Sequence, residues 1–334
     1  MRYLLTGGAG FIGCHLLEAI LKQSPKGIKK EDIVVLDNLS TGRWQNIKHL
    51  EKKINFYNFD ITSNFSKIRS QIGEFDRVYH LAGLADIVPS IDRPLEYFQA
   101  NVQGTMNLLE FIREHKTKKA RLVYAASSSC YGIAKELPTK ESTPLEPQYP
   151  YALTKMMGEE LICHWAKVYK IPVVSLRLFN VYGPKSRTKG AYGAMFGVFL
   201  KQKLEGHPLT VVGDGEQSRD FIHVSDVAQA FLAAGESNLT NEIINIGSGD
   251  HYTVNKIVSL LNSEKTFIPK RPGEPDITYA DISKAKNLLN WSPKVTLEEG
   301  VRNLLEQIDY FEDAPLWTEE KIQEETKSWF DKLS

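Results

Sequence analysis

The sequence predicts an α/β protein in which a doubly wound parallel sheet is joined to a smaller, discontinuous α/β substrate-binding lobe. Three observations predict it. Short apolar runs rich in β-branched residues recur along the first half, amphipathic stretches of helical period separate them, and a cluster of glycines follows the first run at once. At 334 residues the chain has the length of about two domains of ~150 residues each.

Taken in order, the predicted strands are Tyr3–Thr6, Ile33–Asp37, residues 77–81, residues 122–126 and Val173–Leu178, each apolar enough to be covered on both faces. Residues 10–22 put Phe11, Leu16, Leu17, Ile20 and Leu21 on one helical face, and residues 101–114 do the same with Val102, Met106, Leu109 and Ile112. Strands alternating with helices imply crossover connections and hence a parallel sheet. After Asn180, Gly and Pro become denser, Leu209–Val212 stands among loops, and residues 270–275 form an irregular basic segment, which marks the second lobe. Residues 221–234 read as helix and 243–246 as strand, so the chain is expected to cross back. The predicted division is 1–179 plus about 218–250 for the first domain, and 180–217 plus about 251–334 for the second. From Pro315 onward an amphipathic helix carrying Ile322, Trp329, Phe330 and Leu333 is expected to pack onto the body.

Composition excludes several functions. Forty-one Lys plus Arg balance 41 Asp plus Glu, so the electrostatic case for a nucleic acid or an anionic membrane is missing. Cys14, Cys130 and Cys163 lie far apart without metal-ligand spacing, which argues against a disulfide framework or a zinc site and for a reducing compartment. No apolar stretch approaches the ~20 residues of a membrane span. A cytoplasmic protein without a metal is expected.

The run Gly7-Gly8-Ala9-Gly10-Phe11-Ile12-Gly13 follows the first strand and opens a helix. Gly7 permits a tight turn, Gly10 lets backbone N–H groups approach a pyrophosphate, and Gly13 allows close packing of helix on sheet. The second strand ends in Asp37, where a carboxylate can accept both adenosine ribose hydroxyls and repel a 2′-phosphate. This is the pattern of a Rossmann domain that binds NAD rather than NADP. Arg43, six residues on, reads as a solvated surface residue.

Tyr151 and Lys155 open a helix just after Pro150 and share one face at i and i+4. Holding a phenol as phenolate at pH 7 costs on the order of 4 kcal/mol, which a neighbouring ammonium and a positive nicotinamide ring offset. Tyr151 is then usable as a general acid and base.

With these motifs in place, the chain resembles the extended short-chain dehydrogenase/reductase superfamily, specifically its nucleotide-sugar epimerases and dehydratases, and closest in pattern the UDP-hexose 4-epimerases. The resemblance runs through Thr6 to Gly13, Asp37 to Gly42, Asp60-Ile61, His80-Leu81-Ala82-Gly83, Ser127 to Gly132, Tyr151 to Lys155, Arg177 to Pro184, and Gly213-Asp214-Gly215 leading to Arg219-Asp220-Phe221. It implies that Ser127 bonds the reacting hydroxyl, Tyr151 takes its proton, and Lys155 binds the nicotinamide ribose and acidifies Tyr151. It implies cofactor contacts from Gly7, Gly10, Phe11, Ile12, Gly13, Asp37, Asn38, Asp60, Ile61, Leu81 and Ala82. Substrate contacts are implied for Ser127, Ser128, Ser129, Asn180, Val211, Arg219, Arg271 and Thr278. Arginine forks suit the anionic diphosphate in any case. Lys185 and Arg187 are further candidates for the phosphates, and Thr188 or Lys189 for a sugar carboxylate.

The reaction is narrowed by three serines. Family dehydratases carry an Asp–Glu pair after the residue matching Ser127, whereas this chain has Ser128 and Ser129, and hydroxyls replace carboxyls poorly in that proton transfer. UDP-glucuronate decarboxylases carry a glutamate where Ser129 stands. Cys130 is out of register with the cysteine acid/base of the epimerase-reductases and reads as a small buried residue. The reading is an NAD-dependent 4-epimerase of a UDP-hexose or UDP-N-acetylhexosamine. The resemblance to the UDP-galactose 4-epimerases puts the small Thr278 beside the sugar's C2 substituent, which favours the acetamido group. UDP-glucuronate, CDP- or GDP-sugars and a 4-reductase stay open, as does a non-enzymatic dinucleotide sensor. A homodimer is implied through a four-helix bundle, with Val102, Met106, Leu109, Leu161 and Trp165 supplying apolar faces.

Overall fold

The computed structural model describes residues 1–23, 27–114, 120–186 and 195–333. Seven strands form one sheet in the order Glu242–Ile246, Val173–Leu178, Arg121–Ser127, Arg77–His80, Tyr3–Thr6, Ile33–Asp37, Asn55–Asn58. Every pairing is parallel. The order reverses beside the first strand, which lies between the second and the fourth, and a crevice opens at the carboxyl ends there.

Consecutive side chains on a strand point to opposite faces, so Leu4, Val34, Val78 and Leu122 enter one core while Leu5, Val35, Val123 and Val174 enter the other. Helices Phe11–Gln23 and Val224–Glu236 cover the second of these faces, and Gly104–Glu114 and Pro150–Tyr169 the first. Burying each such side chain contributes about 1.5–3 kcal/mol, and the polar residues that do alternate in Val173–Leu178, Ser175 and Arg177, are both paired with Glu159. Asn55–Asn58, the edge strand, is only half-buried and carries no such signature.

The second lobe is built on three two-stranded pairs: Leu209–Val212 with Lys265–Ile268, Ser218–Arg219 with Tyr252–Thr253, and Asn180–Tyr182 with Phe221–His223. Residues 221–223 are therefore strand and not the start of a helix. The helix begins at Val224, where the His223 ring caps it by accepting from the Ser225 N–H. The second core gathers Phe196, Leu209, Val211, Ile257, Val301 and Trp329, and it draws in Val88 and Ile91 from the first part of the chain. Conversely Ala285, Leu289 and Trp291 pack into the sheet core that holds Leu5, Val35, Val123 and Val174, where Trp291 Nε1 donates to the Asp226 carbonyl at 3.0 Å. The two cores thus exchange segments across the expected boundaries. The C-terminal helix, Glu319–Leu333, packs against Ile87–Asp92. Among the described residues, no helix is long and apolar enough to cross a membrane.

Candidate active site

Gly7 has φ +74°, and a Cβ there would stand 2.6 Å from the Ala82 nitrogen; one on Gly13 would stand 2.2 Å from the Gly7 carbonyl oxygen. Neither position tolerates a side chain. Gly10 closes the turn by donating to Gly7 O at 3.1 Å. Behind the turn Asp37 is 7 % exposed, and its two carboxylate oxygens accept from the backbone of Ala9 at 2.9 Å and Leu39 at 2.8 Å. Burial raises its pKa and these two donors oppose the rise. Asn38 donates to Asp60 at 2.9 Å. Burial alone would raise Asp60, but bonds from Thr62 and Asn38 outweigh it and hold the carboxyl below its ordinary range. The Ile61 side chain is buried against Gly104. Arg43 is half-buried, its guanidinium lying 5.0 Å over the Tyr310 ring. An open glycine cradle with a buried acid at the end of the next strand fits a dinucleotide.

The strand Arg121–Ser127 delivers Ser127, and the helix Pro150–Tyr169, with proline in its first turn, delivers Tyr151 and Lys155. Ser127 Oγ lies 2.8 Å from Ser129 Oγ, and both hydroxyls act on the Tyr151 phenol, pulling its pKa down. Ser128 heads the short helical turn Ser128–Tyr131 beside this cluster. Burial pushes Tyr151 up to about 12, with the seryl bonds opposing. Burial also brings Lys155 down to about 8; its Nζ sits 4.4 Å over the Tyr124 ring. Cys130 is 1 % exposed, its Sγ donates to the Ala152 carbonyl at 3.4 Å, and burial pushes it up to about 12, so it is inert.

A cavity of about 530 Å³ joins the two lobes. Gly7, Gly10, Phe11, Ile12, Gly13 and Leu81 line one part of it, and Asn180, Arg219, Arg271, Glu274 and Trp329 another; Ala125, two residues before Ser127, lies on the same wall. Glu274 draws the arginines together, at 3.8 Å from Arg219 and 3.1 Å from Arg271. Five expected substrate contacts are outside this lining: Ser127, Ser128 and Ser129, which follow Ala125 on its strand and the turn after it, and Val211 and Thr278. Val211 is fully buried in the second core, and its strand neighbours Thr210 and Val212 line the cavity, because side chains alternate along a strand. Thr278 stands behind Asn180, its hydroxyl accepting from the Asn180 amide at 3.0 Å and from the Asp220 N–H at 3.3 Å. Lys185 is paired with Glu18 at 2.6 Å. Arg187, Thr188 and Lys189 lie outside the described residues.

His80 was not anticipated as a working residue, although it directly precedes Leu81 and Ala82. The Thr105 hydroxyl donates to the Asn101 carbonyl at 2.6 Å, so it must accept from His80 Nε2–H at 2.9 Å. His80 Nδ1 then accepts from the Thr6 hydroxyl at 2.7 Å, and that hydroxyl accepts from the Ala82 N–H at 3.3 Å. Burial and the nearby Lys155 hold His80 down to about 3, so it stays neutral and fixes the Leu81–Ala82 backbone beside the glycine turn.

A parallel sheet with a glycine cradle and a Ser–Tyr–Lys cluster defines an enzyme of the short-chain dehydrogenase/reductase type. Residues 4–304 match the sequence model of the GDP-mannose 4,6 dehydratase family, and the chain belongs to this family of NAD-dependent nucleotide-sugar epimerases and dehydratases. It is 37 % identical over 319 residues to an uncharacterised UDP-glucose epimerase of Bacillus subtilis, covering 91 % of this chain and 96 % of that one. The UDP-glucuronic acid 4-epimerase of Bacillus cereus, solved with UDP-glucuronic acid and NAD, is 36 % identical with a TM-score of 0.82, covering 93 % and 99 % of the two chains. The UDP-glucose 4-epimerase of Thermotoga maritima, solved with UDP-glucose, is 32 % identical with a TM-score of 0.82, covering 93 % and 98 %.

Proposed function

We propose that the protein is a UDP-hexose 4-epimerase in which Tyr151 carries the proton. The supporting observation is the hydroxyl cluster: the groups that act on Tyr151 are the paired hydroxyls of Ser127 and Ser129, and Ser128 and Ser129 stand where a dehydratase of this family needs carboxyls. Oxidation at C4 and return of the hydrogen to the other face need no further acid or base. NAD, held by the glycine turn and Asp37, supplies a reversible hydride acceptor when bound. Ser127 bonds the C4 hydroxyl, and Tyr151 takes its proton as the C4–H bond breaks. After the 4-keto sugar presents its other face, Tyr151 gives the proton back. With Tyr151 at about 12, the phenolate at pH 7 costs on the order of 7 kcal/mol, so Lys155 must remain an ammonium to offset it.

Asn180, Arg219 and Arg271 hold the nucleotide diphosphate in this reading. UDP-glucuronate is the second candidate, favoured by the likeness to the Bacillus cereus enzyme and by the hydroxyls of Ser128 and Ser129. Thr278, set behind Asn180, no longer distinguishes an acetamido sugar. Val102 and Leu109 of the expected bundle are buried within the chain and Leu161 and Trp165 pack on its own core, so in this reading a second copy meets instead the outer face of Pro94–Phe98 and Pro150–Tyr169, where Leu95, Phe98 and Leu153 stay exposed. The deciding experiment follows the anomeric protons of a panel of UDP-, CDP- and GDP-sugars by NMR. Interconversion of UDP-glucose and UDP-galactose without net reduced nicotinamide is expected; loss of water or stoichiometric consumption of reduced cofactor would sink the epimerase.

A further inference from the structure

The match to the family model ends at residue 304, and the helix Glu319–Leu333 lies beyond it. That helix sends one side chain to the cavity wall. Trp329 is 1 % exposed and has three partners of consequence. Its Nε1 donates to the Pro272 carbonyl at 2.8 Å, the Arg271 guanidinium lies 5.5 Å over its ring, and the Tyr149 ring is 6.2 Å away. Tyr149 in turn stacks on Tyr151 at 6.4 Å with 6° between the planes.

We propose that Trp329 is a positioning residue that sets Arg271 for the substrate's diphosphate, so that the C-terminal helix is part of the binding site. The inference rests on the reading that Arg271 grips that diphosphate. Residues 270–275 contain two prolines and Gly273 at φ +73°, with nothing within 4 Å of where its side chain would start. A segment of this kind holds no ladder of its own, and its orientation comes from what it leans on. Glu274 pulls Arg271 toward Arg219, while Trp329 supports the guanidinium from its flat face and pins the next carbonyl. An arginine fork recognises a diphosphate only in a set orientation, so the indole acts on ground-state binding, through Arg271, and not on proton transfer.

The test compares wild type with Trp329→Leu, which removes the aromatic face, and Trp329→Phe, which keeps it, all as holoenzymes, by UDP calorimetry and by steady-state kinetics on the substrate that the NMR panel identifies. Trp329→Leu is expected to raise the UDP Kd and the substrate KM about tenfold with kcat within threefold and NAD content unchanged, and Trp329→Phe to restore both to within threefold of wild type. Wild-type UDP affinity in Trp329→Leu, or a fall in kcat at constant KM, would overturn the proposal. If Trp329→Leu does not fold, a cycle of Trp329→Met, which fills the space without an aromatic face, with Arg271→Lys replaces it. Losses in UDP affinity that fail to multiply support the coupling, and losses that multiply independently overturn it. A wild-type protein that binds no UDP refutes the proposed function itself, which is a different result from variants that bind UDP as wild type does.

Discussion

At the level of single residues the chemistry depends on the charge of Lys155. It is cationic below about 8 and neutral above, so kcat should fall as pH rises through about 8, the reverse of what a free tyrosine base would give. Tyr151→Phe should lose about 10²–10⁴ in kcat while keeping NAD bound, measured by NMR turnover and by cofactor released on denaturation. A flat alkaline limb would refute the role given to Lys155. Thr278→Tyr should displace Asn180, whose amide its hydroxyl now accepts, and so reduce turnover of UDP-hexose and UDP-N-acetylhexosamine alike. Selective loss on the acetamido sugar would instead put position 278 in contact with the substrate. The residues legible in the sequence were those whose roles are local: Gly7, Gly13, Asp37, Tyr151 and Lys155 are each defined by neighbours on the same turn, strand end or helix face. His80 and Trp329 were not, because their partners are brought by the fold from Thr105, Pro272 and Arg271.

Among elements, the catalytic helix shows why spacing alone was insufficient. Its i, i+4 pair could be read from the sequence, but the group that supports it underneath could not. Glu159, the next turn along, is paired with Arg177 of the neighbouring strand at 2.6 Å, with side chains 4 % and 5 % exposed, and it also accepts from Ser175. Removing one member leaves a buried charge without its partner. Arg177→Met should therefore cost about 3–5 kcal/mol in urea unfolding, and Glu159→Met in the same chain should recover most of it. A single variant as stable as wild type would refute the stabilising role of this pair. Val211 carries a related lesson: the strand was found, but which of its alternate residues faces the cavity follows from the packing of the lobe.

For the whole molecule, acid stability follows from three buried groups. His80 and His223 have folded pKa values of about 3 and about 4 against 6.5, so below 6.5 the unfolded chain binds protons that the folded one refuses, and stability falls with pH. Asp220, raised from 3.8 to about 6, works the other way, since the folded chain takes its proton first and gains stability on acidification. At pH 5 the histidines cost about 2 kcal/mol each and Asp220 returns about 1, so the protein should be less stable at pH 5 than at pH 7 by about 3 kcal/mol in urea unfolding. Equal stability at both would mean that the histidines are charged in the fold. Assembly is the other property of the whole molecule. On the helix Pro94–Phe98, Leu95 and Phe98 are 65 % and 41 % exposed while Tyr97 is 2 % exposed and packs on Tyr151 at 6.4 Å; Leu153, on the catalytic helix, is 43 % exposed. Apolar residues on two neighbouring helices suit a two-fold interface in which each copy meets the same surface. Light scattering should give twice the chain mass of 37.8 kDa, and Phe98→Glu with Leu153→Glu should give the single-chain mass. Because Tyr97 sits on the inner side of the helix that Phe98 would anchor, the separated chain should also turn over more slowly at unchanged NAD content. Wild type at the single-chain mass, or separation without any loss of rate, would disconnect that helix from the partner and from Tyr151 respectively.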